Sequence, residues 1–358
     1  MANKDMKALI IGCGYIARVH IEAIRRLGHE VCGVVGRDPG RTRAFASEFG
    51  IAYSTTDLKE ALAGDADIAH ICTPPYDHAE TIRACIASGK HVICEKPLCI
   101  DPEEVTALAA EARAARDEKG LITALCLNDR YYPANLEAAR MLREEGREVK
   151  VFLGSYLQEF HIPPHPDGWR FDAGLSEGQR AISEIGTHWI DLAYAWTGVR
   201  ISGVQAELGN WFPARYRKDG MLTTDGEGEP VSVATEDTAA VLLRFENGGI
   251  GTLLLSETAP GHPNDLSIEV TDLAESCKWE ESEPDFLQYS EGCSMERLEF
   301  PVADRTSTFE ALFREVYAAA EGRTHEPYPT FEDGLYIAKV CAAIRESGQK
   351  RCFTEISY

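Results

Sequence analysis

The run Lys7-Ala-Leu-Ile-Ile-Gly12-Cys-Gly14-Tyr-Ile-Ala17 constrains this chain more than any other stretch. An apolar segment fit for a buried strand leads straight into Gly-x-Gly-x-x-Ala, and a helical pattern continues to about Leu27. In such a sequence Gly12 allows a tight turn, Gly14 lets a pyrophosphate approach the backbone, and Ala17 keeps the helix close to the strand. The helix N-terminus then presents unpaired N–H groups and positive dipole to phosphate. Strand, loop and helix in that order point to a dinucleotide site rather than to an ordinary turn.

The same rhythm continues downstream. Strand patterns at Glu30–Gly36, Asp67–Cys72, Lys90–Cys94 and Leu121–Leu127 alternate with helical ones at Pro39–Phe49, Thr56–Ala63, Asp77–Ser88 and Asp101–Lys119. Alternation of this kind predicts a doubly wound parallel sheet, here over residues 1–127. Beyond it the pattern changes to longer alternating strands around Val149–Phe160, Ala239–Phe245, Gly249–Ser256 and Leu266–Thr271. Residues 128–358 are therefore expected to form a second, α+β domain with an open, largely antiparallel sheet. Within it a helix is expected from about Ala181 to Trp196, a mobile loop over Lys218–Pro230, and closing helices at Thr308–Glu321 and Phe331–Ser347.

A length of 358 residues suits two cores. The formal charge of −22 repels phosphate backbones and anionic lipid, so neither nucleic acid nor membrane is the expected partner. No stretch approaches the roughly 20 apolar residues that span a bilayer. Met1-Ala-Asn-Lys-Asp runs directly into the first strand and leaves no room for a signal peptide, which predicts a cytoplasmic location. Eleven cysteines, an odd number without Cys-x-x-Cys, lie partly inside strand patterns and read as small buried hydrophobes. Neither a disulfide framework nor a metal cluster is expected.

Three groups of residues can carry chemistry. Glu95-Lys96-Pro97 follows the fourth strand, at the sheet edge where open α/β folds place ligands, and a lysine there can donate to a substrate oxygen. Glu184 and His188 are i,i+4 on the expected helix with Asp191 one turn on, so a carboxylate can tune an imidazole that ordinarily titrates near neutrality. The same pair has the donor types to hold a divalent metal, although no metal is assigned. Aromatic and polar side chains meet in Asn128-Asp-Arg130-Tyr-Tyr-Pro133 and Trp169-Arg170, a mixture suited to polyhydroxylated ligands or to domain packing. The second strand ends Val35-Gly36-Arg37-Asp38, where an acidic residue would mark NAD. Gly36 leaves room and Arg37 suits a 2′-phosphate, a lean towards NADP. No Gly-x-Ser-x-Gly elbow occurs, and nothing supports a hydrolase triad.

Taken in order, these motifs resemble the glucose–fructose oxidoreductase / inositol dehydrogenase (Gfo/Idh/MocA) family over nearly the full length. The likeness rests on Gly12–Ala17, on Ile71-Cys-Thr-Pro-Pro75 followed by His78, and on Gly89-Lys-His-Val-Ile-Cys-Glu-Lys-Pro97. It extends through Asn128–Pro133, Glu184-x-Gly-x-His188-x-x-Asp191, Thr235-Glu-Asp237 and Phe331-Glu-Asp-Gly334. The resemblance implies an N-terminal Rossmann domain holding NAD(P) through Gly12, Gly14, Tyr15, Ile16, Arg37, Thr73, Pro74, His78, Glu95 and Lys96. It implies hydride transfer at a secondary hydroxyl or ketone of a sugar, glycoside or cyclitol, with Lys96, His188 and Glu184 catalytic. Arg130, Tyr156, Trp169 and Arg170 would join them in binding substrate, and the second domain would form a homodimer or homotetramer face. Two other readings carry over: redox-assisted glycoside cleavage on a retained NAD, and a non-catalytic ligand sensor. The chain departs from the family in having Glu184 for the usual Asp, and Ser176-Glu-Gly-Gln-Arg180 for a glycine triplet.

Overall fold

The computed structural model describes residues 6–358 except 145, 173, 177 and 273, so the opening Met1–Asp5 and Glu177 of the Ser176–Arg180 stretch lie outside the described residues. The chain divides into two compact units, Met1–Tyr131 with Ala303–Leu335, and Tyr132–Val302 with Tyr336–Tyr358.

The first unit is built from β1 (Lys7–Ile11), α1 (Tyr15–Arg26), β2 (Glu30–Val35), α2 (Pro39–Glu48), β3 (Ser54–Thr55) and α3 (Leu58–Leu62). It continues with β4 (Ile68–Ile71), α4 (His78–Ala87), β5 (His91–Glu95), α5 (Pro102–Lys119) and β6 (Thr123–Cys126). The strands form one sheet in the order β3-β2-β1-β4-β5-β6, every pair parallel, as the βαβ rhythm requires. Strands buried on both faces read as continuous apolar runs, and Ala8, Ile10, Ile68, Ile93 and Ala124 are all fully buried. The helix Thr306–Ala320 packs into this core through Phe309, Leu312, Phe313, Val316 and Tyr317, residues spaced at helical period on one face. A single domain boundary near residue 127 therefore describes only the first crossing. The chain returns to the first unit because that helix carries an apolar stripe that α1 covers.

The second unit opens with α6 (Pro133–Glu144), β7 (Val151–Leu157), β8 (His165–Pro166), α7 (Thr187–Thr197) and β9 (Ile201–Gly209). Then come β10 (Ala214–Lys218), β11 (Met221–Thr223), β12 (Glu229–Ser232), β13 (Thr238–Phe245) and β14 (Ile250–Ser256). It is completed by β15 (Asp265–Thr271), β16 (Glu275–Glu280), β17 (Phe286–Glu291), β18 (Ser294–Glu299) and β19 (Thr354–Glu355). The large sheet runs β18-β17-β16-β15-β7-β14-β13-β9-β19 and is antiparallel apart from the β7–β14 pair. Alternation along β13 places Ala239, Val241, Leu243 and Phe245 inside and leaves Leu242 more than half exposed. Trp189 of α7 lies against β7, where a Cβ on Gly154 would come within 1.9 Å of its indole, so only glycine admits this ring.

Lys218–Pro230, expected as a mobile loop, is not one. Tyr216–Lys218 pairs with Met221–Thr223, Ala214–Arg217 with Glu229–Ser232, and β11 with β8, making a four-stranded sheet. Its Gly and Glu content hides strand pairing that is closed by a small core of Phe171, Leu222 and Val233. The expected helix from Ala181 also differs: residues Ile182–Gly186 form a π-turn before α7 begins.

Candidate active site

In the first unit the glycine loop has the geometry its sequence calls for. Gly12 has φ +120°, and a Cβ there would meet the Cys72 carbonyl at 2.5 Å, so the turn excludes every other residue. Gly14 is the N-cap of α1 and brings no side chain to its first-turn amides, while the direction of its missing Cβ is clear of protein for 4 Å. Tyr15 and Ile16 follow in that first turn, with Tyr15 largely exposed. Open glycine backbone at a helix N-terminus fits a pyrophosphate.

At the end of β2, Gly36 has no room for a side chain, because a Cβ would lie 2.3 Å from Thr42 Oγ1 and 2.7 Å from Cys13 Sγ. Asp38 caps α2, accepting from the Arg41 amide at 2.7 Å, so its carboxylate is committed there. Arg37 Nη1 donates to the Tyr76 hydroxyl at 2.9 Å and its guanidinium lies 5.9 Å from that ring. A cation and an aromatic face thus stand where an acidic hook would be expected.

His78 has a different place from the one the resemblance implies. Its ring is fully buried, with Nε2 2.8 Å from the Thr73 carbonyl and Nδ1 3.0 and 3.1 Å from those of Pro97 and Leu98. Burial pushes its pKa down against those carbonyls. The fully buried imidazole therefore ties the Thr73-Pro74 loop to the segment after Lys96. Arg130, expected to bind substrate, is held in an ion pair. It pairs with Asp333 at 2.8 Å, and Asp333 also accepts from Thr330 N and Oγ1 at the start of the helix Phe331–Lys350. Burial raises the Asp333 carboxyl, but Arg130 and the Thr330 donors outweigh it and hold it below the ordinary range. This clip explains the Phe331-Glu-Asp-Gly334 motif. Glu95 is buried at the end of β5, and Lys96, partly exposed, follows it.

In the second unit the structure brings Arg170 and Glu184 together: Nε donates to Oε2 at 2.6 Å, and the Glu184 charge keeps the guanidinium firmly protonated. Arg170 also lies 4.7 Å from the ring of Trp169. The α-helical i,i+4 spacing assumed for Glu184 and His188 does not hold, because a π-turn carries an extra residue per turn and redirects Glu184. His188 is 6% exposed and its ring meets that of Tyr156 edge-on at 5.8 Å. Tyr156, expected to bind substrate, is 2% exposed with its hydroxyl donated to Asn264 Oδ1 at 3.0 Å. Its ring lies edge-on to that of His188.

Sequence reasoning missed the ionic cluster behind this turn. Arg180, Arg215, Asp237 and Glu257 are all fully buried: Arg180 bonds Asp237 and Glu257, Arg215 bonds Asp237, and His161 Nδ1 is 2.8 Å from Glu257. Glu236 Oε1 accepts from the amides of Arg180 at 2.8 Å and Ile182 at 2.9 Å, fixing the entry to the π-turn. The Thr235-Glu-Asp237 motif is thereby accounted for, and the signal for Arg180 was its presence where the family has small residues. Burial pushes Glu236 up to about 7 against those two amides. With the folded pKa above the ordinary 4.5, its contribution is full below about pH 4.5 and is lost as pH rises through about 7. Glu236→Gln keeps the acceptor and cannot ionise. Its Tm relative to wild type should therefore rise between about pH 5 and pH 8, by at most about 3 kcal/mol in stability. Parallel thermal melts check this, and a constant difference would show that Glu236 does not titrate there.

The comparisons with known proteins agree with this architecture. Residues 6–119 match the oxidoreductase family with an NAD-binding Rossmann fold, and residues 136–272 match the GFO/IDH/MocA C-terminal domain. Levoglucosan dehydrogenase of Pseudarthrobacter phenanthrenivorans is 30% identical over 351 residues, covering 87% of this chain and 85% of that protein. The 1,5-anhydro-D-fructose reductase of Ensifer adhaerens is 34% identical over 188 residues, 51% of this chain and 54% of that one. Among solved structures, an oxidoreductase domain protein from Kribbella flavida superposes with a TM-score of 0.89 at 26% identity, covering 99% of this chain and 100% of that chain. Levoglucosan dehydrogenase in complex with NADH does so with 0.87 at 26%, over 99% and 100%. Among the described residues no helix is long and apolar enough to cross a membrane. The chain belongs to the Gfo/Idh/MocA family of NAD-binding oxidoreductases.

Proposed function

We propose that this protein is an NAD(P)-dependent dehydrogenase or reductase acting on a secondary hydroxyl, or the matching ketone, of a sugar, glycoside or cyclitol. The observation that carries the reading is the open Gly14 backbone at the N-terminus of α1, in a chain that keeps Lys96 and His188. The kinship with levoglucosan dehydrogenase and 1,5-anhydro-D-fructose reductase supports the substrate class. Bound NAD(P) supplies the hydride chemistry. His188 takes or returns the carbinol proton, held by Tyr156. Lys96 steadies the negative charge that develops on the substrate oxygen. Glu184 accepts from a neighbouring hydroxyl while Arg170 holds its other oxygen. Trp169 offers a ring face to the sugar.

Arg37 on Tyr76, with Asp38 spent on its cap, favours NADP. A panel of sugars, glycosides and cyclitols followed at the nicotinamide absorbance, with each cofactor, tests the reading. Turnover is expected with neutral polyols, and Arg37→Asp should lower the NADP-to-NAD ratio of kcat/KM by about tenfold, the scale of one charged contact. No turnover with any member opposes the enzyme, and an unmoved ratio makes Arg37 a loop residue.

We also propose that the outer face of the large sheet is covered by a second copy of the chain. Val151, Leu153, Leu242, Ile250 and Leu254 are each 39–64% exposed on adjacent strands β7, β13 and β14. Contiguous exposed apolar side chains of this kind mark interfaces. Light scattering should give a dimer or tetramer that Leu242→Glu dissociates; a wild-type monomer contradicts it.

A further inference from the structure

The first unit contains a chain of buried polar side chains with no part in the chemistry above. Tyr317, His70, His20 and Glu95 are contributed by the helix Thr306–Ala320, β4, α1 and β5, and His20, His70 and Tyr317 are fully buried. His70 Nε2 is 2.9 Å from the Tyr317 hydroxyl, His70 Nδ1 is 3.0 Å from His20 Nδ1, and His20 Nε2 is 2.9 Å from Glu95 Oε1. Glu95 Oε2 accepts from the Lys96 amide at 3.3 Å. Phe309 and Phe313 pack on the imidazoles, so no water competes for the ring nitrogens.

The order of hydrogen bonds follows from charge. Burial raises the Glu95 carboxyl, but the His20 hydrogen bond, its charge and that of Lys96 bring it below the ordinary value, so it is a carboxylate that only accepts. His20 Nε2 must then be a donor. Burial, with His20 and His29 nearby, pushes His70 well down, so His70 is neutral. His20 Nε2 thus donates to Glu95, the two facing Nδ1 atoms of His20 and His70 share one proton, and His70 Nε2 pairs with the Tyr317 hydroxyl. Cys126, Cys72 and Cys94 also face Glu95, and burial keeps all three as thiols. Buried His78 faces it as well, with its own nitrogens on backbone carbonyls. The donor atoms of His20, Glu95 and Cys126 lie within 4.8 Å of one another, but a protonated thiol beside an existing 2.9 Å hydrogen bond suits proton holding better than a metal.

We propose that His20 is a positioning residue for Lys96, acting through Glu95: it keeps that carboxylate charged and aimed at the root of the lysine, while His70 and Tyr317 hold the imidazole in place. The carboxylate in turn favours the ammonium form of Lys96. This rests on the role proposed for Lys96, but its test needs neither substrate nor turnover, so the two can fail separately.

The test follows the titration of Lys96 in the intact chain by NMR of isotope-labelled methyl groups placed on lysines, with the signal assigned by its loss in Lys96→Arg. Glu95→Gln should lower the Lys96 midpoint by about 1 pH unit, the scale of one lost opposite charge. His20→Asn puts its amide where Nδ1 was and cannot reach Glu95, so it should lower the midpoint in the same direction. His20→Gln puts its amide where Nε2 was and should keep the wild-type midpoint. His20→Phe, close in shape, repeats the loss if His20→Asn does not fold. A purely structural role would lower Tm in these variants and leave the Lys96 midpoint alone. An unchanged midpoint in Glu95→Gln, or equal midpoints in His20→Asn and His20→Gln, would overturn the proposal.

Discussion

His188→Ala should lower kcat by about 10²-fold or more, with NADH binding intact. Removing hydride from a carbinol leaves an alkoxide-like oxygen, so a base must take the proton as the C–H bond breaks, and a positioned base contributes on that scale. His188 sits at the first turn of α7, 6% exposed, with the Tyr156 ring against it. Truncation to Ala leaves that ring-sized space, and added imidazole should restore part of the rate. Lys96→Ala should cost a similar factor without imidazole rescue, because a point charge rather than a proton acceptor is lost. Steady-state kinetics with and without imidazole decide the matter. Wild-type kcat in His188→Ala would make the histidine structural.

Gly14→Val should abolish measurable NADH binding while leaving the fold intact. Its φ of −90° and ψ of −173° are extended backbone that any residue adopts, and nothing lies within 4 Å of the added Cβ. The protein therefore accepts the side chain, at a cost of about 1 kcal/mol for the poorer cap. The isopropyl group instead fills the space a pyrophosphate needs. Fluorescence titration with NADH, beside a thermal melt, separates the two effects. Undiminished affinity in a folded Gly14→Val would sink the dinucleotide assignment.

Much of this was legible in the chain because period and context are local properties. The glycine loop and the apolar strand runs announce the parallel sheet, and the alternating positions of β13 announce the open one. What was hidden is set by distance or by a single inserted residue. Arg180, Arg215, Asp237 and Glu257 look like solvated charges until folding closes them into one buried cluster. The π-turn at Ile182–Gly186 has no spacing of its own in the sequence, so Glu184 was aimed at His188 when its carboxylate turns to Arg170. His78 and Arg130 carry the residue types of ligand contacts, yet backbone carbonyls and Asp333 take them. Strands β10 to β12 were masked by glycine and glutamate, since their pairing depends on β8 and a small core rather than on propensity.

The most direct measurement of the central claim is isotope transfer from a neutral sugar or glycoside deuterated at the reacting carbinol carbon, with cofactor and product followed by mass spectrometry. Hydride transfer predicts deuterium on the reduced nicotinamide, one equivalent for each ketone formed. Glycoside cleavage with no net reduced cofactor, or ketone formed without deuterium on the nicotinamide, would contradict it.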